Sequence, residues 1–260
     1  MNVLHVIPAL NDGGAEPTTL EVAEALVRAG GTATVASAGG RLEGELAALG
    51  GTLARGPYGS KNPLVIGANA DRLADLARAT GAQLIHARSR APAWSALWAS
   101  RRLGLPFVTT YHGFYRAKGP LKRLYNSAMA RGDVVIANSS FTADHVRAEH
   151  PFAAKNVVVI PRGVDLSRFV PAAVAPERRE TLLRGGGLDA SDARPRILLP
   201  GRISRWKGQD VLIDALAVLK GQGRDAVGLC VGGADGRDSI LAELKARAAA
   251  AGVDVRFPGS

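Results

Sequence analysis

The sequence predicts an α/β protein of two doubly wound, Rossmann-like domains, the second of them incomplete. Short apolar runs alternate with longer amphipathic stretches from the first residues onward. The runs are apolar throughout, as strands of a parallel sheet covered on both faces are. After a break the same pattern starts again. A composition of 47% apolar and 5% aromatic residues, rich in Ala, fits this class and not a β sandwich. At 260 residues the chain is long enough to bury a sizeable core.

Strands are expected at 3–7 (VLHVI), 33–37, 83–87 (QLIHA), 106–111 (PFVTTY), 133–138 (DVVIAN) and 156–160 (NVVVI). Helices are expected between them, at about 16–29, 42–49, 65–80, 92–103, 119–131 and 139–149. Residues 171–194 hold three consecutive Gly, two Pro and scattered charge, and read as a linker with one short helix. The pattern then restarts with strands at 196–200, 226–231 and 253–257 and helices at 207–220 and 237–251. The domains are therefore placed at 1–170 and 195–260. Three strands make a thin module, below the usual domain size.

Charge narrows the partners. Between Asp75 and Asp133 no acidic residue occurs, while ten Lys and Arg do, against a net charge of +10 for the whole chain. Such a field favours an anionic ligand, lipid headgroup or nucleic acid. No motif that reads nucleic acid is present and aromatics for base stacking are few, so nucleic acid is excluded as a partner. The single Cys230 cannot form an internal disulfide, and the N-terminus lacks the features of a signal peptide, so a cytoplasmic location is expected. No apolar run is long enough to span a membrane. Residues 115–132, basic and amphipathic from about Pro120, suit either an anionic membrane surface or a core-facing helix with a solvated flank.

Chemistry is expected where strands end. Gly13 and Gly14 follow the first strand and Glu16-Pro17 open a helix, an arrangement that suits an anion or simply a tight left-handed connection. His86 lies at the end of the 83–87 strand with Arg88 and Arg90 just past it, and His112 follows the next strand, all near the carboxyl edge where ligands of such sheets bind. Arg162 ends a further strand and is a candidate for lining a cleft. In the second half, LLPGRISRWKGQD (198–210) sets Arg202 just after a strand and Lys207 where a helix begins. A diphosphate there would meet a guanidinium, an ammonium and helix-start amides. VGG (231–233) repeats the arrangement with Gly232. No cluster with metal-ligand spacing is visible, so no metal or other cofactor is expected.

Taken in order, GGAE (13–16), HARS (86–89), TYHG (110–113), VVIANSSFTADHV (134–146), VIPRGVD (159–165), GRISRWKGQDVLIDAL (201–216) and VGG (231–233) resemble the retaining glycosyltransferases of the GT-B fold, family 4. The resemblance spans nearly the whole chain. It implies two facing Rossmann-like domains, with a nucleotide-sugar donor held mainly by the second. It makes Arg202 and Lys207 the pair that neutralises the donor diphosphate, with Gly13, Gly14 and Gly232 at the phosphates. His112 falls beside the transferred sugar, and Glu16, His86, Arg88 and Arg162 face the acceptor. A cell-envelope acceptor such as lipopolysaccharide core or a glycolipid follows, with the protein peripheral on the inner face of the cytoplasmic membrane. The family's Glu-x7-Glu motif and its closing helix do not occur in these 260 residues, so weak or no turnover is expected of them alone. The competing expectation is a non-catalytic module that binds a nucleotide or sugar phosphate.

Overall fold

The computed structural model describes every residue except Asp12, Asp165, Ser167, Arg168, Ala190, Asp235 and Ser260. The chain divides into two units, Met1–Gly163 and Val164–Ser260.

In the first unit, β1 (Asn2–Val6) leads to α1 (Ala15–Arg28), β2 (Thr32–Ser37), α2 (Glu43–Ala48), β3 (Thr52–Arg55) and α3 (Pro63–Ala79). β4 (Leu84–Ala87), α4 (Arg90–Leu103), β5 (Phe107–Tyr111), α5 (Pro120–Ser127), β6 (Val134–Ala137), α6 (Ser140–Glu149) and β7 (Val157–Val159) complete it. Local signals set the boundaries. Asn62 caps α3 by accepting from the Leu64 amide, and Pro63 opens its first turn. Ser139 caps α6 in the same way through the Thr142 amide. Gly104, at φ 64°, ends α4 in the left-handed conformation that side chains disfavour.

The seven strands pair in the order β3-β2-β1-β4-β5-β6-β7, all parallel. The order reverses between β1 and β4, and that crevice is where such sheets bind ligands. Right-handed crossovers then put α1 and α2 on one face and the later helices on the other. The core divides accordingly. Leu20, Ala23 and Leu46 pack on Ile7, Ala33 and Val35 on one side. Leu73, Ala96 and Leu97 pack on Leu4, Ile85 and Phe107 on the other.

On the α1 face, beyond β1, no described helix covers the sheet. Register places Leu84, Val108, Val134, Ile136 and Val158 on that face. Val134 and Val158 are 38% and 39% exposed, apolar residues left without a second layer.

The short β3 was not expected, because TLAR carries little strand signal. The stretch 119–131 forms α5 only to Ser127 and then a 3-10 turn. Its Ala128 and Met129 are in the core, whereas Leu121 and Leu124 face solvent.

The second unit holds α7 (Pro176–Gly185), β8 (Arg196–Pro200), α8 (Gln209–Gly221), β9 (Val227–Val231), α9 (Asp238–Ala250) and β10 (Asp254–Gly259). Its three strands are parallel in the order β10-β9-β8. Residues 171–194 pack within this unit instead of standing apart as a linker, because Leu183 and Leu188 bury themselves on Val227 and Leu229.

Candidate functional site

Two places at the carboxyl ends of strands concentrate the expected site residues, one in each unit. In the first unit a groove of about 450 Å³ runs over the uncovered sheet face, lined among others by Thr18, Glu21, His86, Arg88, His112 and Arg162. Parallel pairing sets His5 of β1 opposite His86 of β4, with ring centroids 5.2 Å apart. The His86 Nε2 shares a hydrogen bond with Thr110 Oγ1 at 2.8 Å. Arg88, one step past β4, is 3% exposed and donates from Nη2 to Thr18 Oγ1 at 2.9 Å.

Arg162 and His112 meet at 2.7 Å between Nη2 and Nδ1. A guanidinium can only donate, so His112 accepts at Nδ1 and carries its proton on Nε2. Burial, together with the charges of Arg88 and Arg162, lowers the His112 pKa to about 3. His5 is likewise lowered to about 3, by burial first and then by Arg88. His86 lies well below its ordinary value, mainly through burial. All three imidazoles are therefore neutral at physiological pH. Burial also brings Arg88 down to about 10, helped by Arg162 and opposed by Glu21, so it stays charged.

The glycine loop works differently from a left-handed turn. Gly14 does not have positive φ but sits at φ −97°. A Cβ on Gly14 would stand 3.0 Å from Arg162 Nη1, so the missing side chain makes room for that guanidinium. A Cβ on Gly13 would collide with the Glu16 carboxylate, which folds back to accept from the Ala15 amide at 3.1 Å. Glu16 thus caps its own helix and does not line the groove.

In the second unit the loop between β8 and α8 is fixed from below. The Gly201 amide donates to the Val231 carbonyl at 2.8 Å, and that of Ile203 to Gly233 at 3.0 Å. The buried Gln209 side chain donates to the Arg202 carbonyl at 3.1 Å. Gly232 has no alternative, because a Cβ there would run into the Gly201 carbonyl. Of the three cations on this loop, Arg205 pairs with Glu243 at 2.9 Å. Arg202 and Lys207 are exposed and have no carboxylate partner among the described residues; Lys207 Nζ lies 4.5 Å over the Trp206 ring. Gly208, at φ 82°, opens α8 beside them.

The structure so gathers Gly14, His86, Arg88, His112 and Arg162 in one place, and Arg202, Lys207 and Gly232 in another. Sequence reasoning missed His5, Thr18, Thr110 and Gln209. Only strand pairing shows that His5 faces His86. The ten cations of the acid-free stretch are also less alone than the sequence suggests: Arg78, Arg101 and Arg102 pair with Asp75, Asp133 and Asp71 at or outside its borders.

Known proteins share both the sequence and this architecture. Residues 12–168 match Glycosyltransferase Family 4. A D-inositol 3-phosphate glycosyltransferase of Jonesia denitrificans is 31% identical over 176 residues, covering 61% of this chain and 41% of that protein. The crystal structure of a glycosyltransferase from Rickettsia africae superposes with a TM-score of 0.84 at 35% identity, over 100% of this chain and 68% of the other. Anabaena HepE, solved with UDP and glucose, shares the fold at a TM-score of 0.79 and 22% identity, over 100% and 69%. The chain thus spans about two fifths of the curated relative and two thirds of the solved ones. The fold is of the GT-B type, with the second domain present in part.

Proposed function

Because the chain belongs to glycosyltransferase family 4, we propose that it takes part in moving a sugar from a nucleoside-diphosphate donor to an anionic acceptor, with retention of configuration. One observation carries the proposal. On a loop pinned by backbone bonds, Arg205 is tied to Glu243, while Arg202 and Lys207 have no carboxylate partner among the described residues and stand beside the first turn of α8. Loss of a nucleoside diphosphate builds charge on phosphate oxygens, and preplaced cations with helix-start amides lower that barrier without a metal. The UDP and UDP-glucose bound by HepE agree with such a donor. His112, neutral and held by Arg162, would present Nε2–H to the sugar.

The acceptor belongs in the cationic groove of the first unit. The Jonesia relative is named for a phosphorylated polyol, which suits those cations. A cell-envelope acceptor, lipopolysaccharide core or glycolipid, is the lipid-linked form of the same proposal. Exposed Phe114, Leu121, Leu124 and Phe141 beside Arg116, Lys118 and Lys122 support a peripheral place on the cytoplasmic side of an anionic membrane. No helix among the described residues is long and apolar enough to cross one.

The test is sugar transfer from a panel of nucleotide sugars, with nucleoside-diphosphate binding measured in parallel. Transfer that is lost in Arg202→Ala/Lys207→Ala supports the proposal. Unchanged donor use by that variant overturns it. Tight nucleotide binding with no transfer to any acceptor, in a chain extended to its relatives' length, would favour a binding module instead.

A further inference from the structure

We infer that the groove of the first unit is a receptor for a phosphate monoester, with Arg88 and Arg162 as the cations that take the dianion. Assigning that phosphate to the sugar acceptor rests on the function proposed above; the binding site itself rests on the arrangement of the side chains.

Several exposed arginines of the first unit are paired with carboxylates, whereas the most buried one is not. Arg28, Arg55, Arg78, Arg101, Arg102 and Arg147 each sit on a carboxylate at the surface of the first unit. Among the described residues Arg88 is the only buried arginine, and its one hydrogen-bond partner there is the neutral Thr18 hydroxyl. Its Nε is buried with no partner. A guanidinium without a counter-ion is costly to bury, and the cost grows when a second cation is brought near. Arg162 is that cation, and each lowers the affinity of the neighbourhood for a proton. No carboxylate among the described residues forms an ion pair with either of them. Glu21, the acid that lines the groove, is exposed.

The neighbours are arranged to donate. With Nδ1 accepting from Arg162, the His112 Nε2–H is also buried without a partner. Two adjacent positive charges and an N–H call for an acceptor-only group of charge near −2. A phosphate monoester, at about −1.5 to −2 at pH 7, meets that requirement. A carboxylate would leave one arginine uncompensated. The ligand can be a soluble phosphorylated polyol or the headgroup of an anionic lipid, since both offer the same group.

The inference is tested by titrating the chain with glycerol 3-phosphate and with glycerol, without donor. Glycerol 3-phosphate should bind and glycerol should not. Arg162→Gln, at an exposed position, should weaken binding about 10- to 100-fold, the size of a lost charge-assisted bond. Arg88→Lys should weaken it comparably, with circular dichroism confirming the fold, and Arg78→Ala should leave it unchanged. Affinity should rise with pH through about 6, where the ligand loses its second proton. Vesicles of phosphatidic acid against phosphatidylcholine give the second arm. Co-sedimentation that Arg162→Gln removes identifies a lipid source, and binding of the soluble ester alone identifies a soluble one. Absence of phosphate binding, or binding that neither arginine variant alters, overturns the inference. Loss of nucleotide binding with phosphate binding intact would instead count against the transfer reaction.

Discussion

The two cationic places of this molecule are built on opposite principles. In the first unit Arg88 is buried and bonded to Thr18, and Arg162 is held by His112 in the space that Gly14 leaves open. In the second unit the backbone of 201–208 is the fixed part, while the Arg202 and Lys207 side chains extend into water. A buried cation is preorganised and costs stability until its anion arrives. An exposed one costs the fold nothing, but interacts weakly with an anion until water is excluded. Placement, more than the number of cations, separates a site that selects from one that waits to be enclosed.

That difference predicts how each place breaks. The largest effect is expected from Arg202→Ala/Lys207→Ala, which should weaken nucleoside-diphosphate binding about 100-fold or more while leaving thermal stability within about 0.5 kcal/mol. A large loss of melting temperature in that variant would show that these exposed side chains help to hold the fold. Gly232→Ala should do the reverse by pushing a methyl group into the Gly201 carbonyl, costing about 2 kcal/mol or more of stability.

Acid should separate the units next. All five histidines lie in the first unit, and His5, His86 and His112 are held neutral there. Below about pH 6.5 the unfolded chain takes up protons that the folded one refuses, so stability falls as pH falls, by about 1.4 kcal/mol per pH unit for each such group. Unfolding followed from pH 7 to 5 should show the first unit weakening and the second holding. Parallel loss in both would remove the histidines as the cause. The smallest effect belongs to Gly14→Ala, whose methyl group meets only the tip of Arg162. Stability should stay within about 0.5 kcal/mol, with glycerol 3-phosphate binding reduced several-fold.

Much of this was readable from the chain. The apolar runs located every strand except β3, a four-residue edge strand whose Thr, Leu, Ala and Arg lack a strand's usual side chains. His86, Arg88 and His112 were legible because they stand at or just past the ends of such runs, and Arg202 and Lys207 for the same reason. What sequence could not give was pairing across distance. His5 faces His86 only because β1 adds to β4 across the switch point. The reason for Gly14 lies 148 positions further on, at Arg162. That Arg205 is occupied and its neighbours are not depends on Glu243, far along the chain.

The half-covered sheet also sets a gradient of motion. β1 and β2 have helices on both sides or near them, whereas β6 and β7 are layered on one side only. Amide hydrogens should therefore exchange slowest at the middle of the sheet and fastest at its three-residue last strand. Arg162 stands three residues past that strand, so the wall of the groove that carries it is also the part that should open most readily. An anion held there would slow exchange in β7 first.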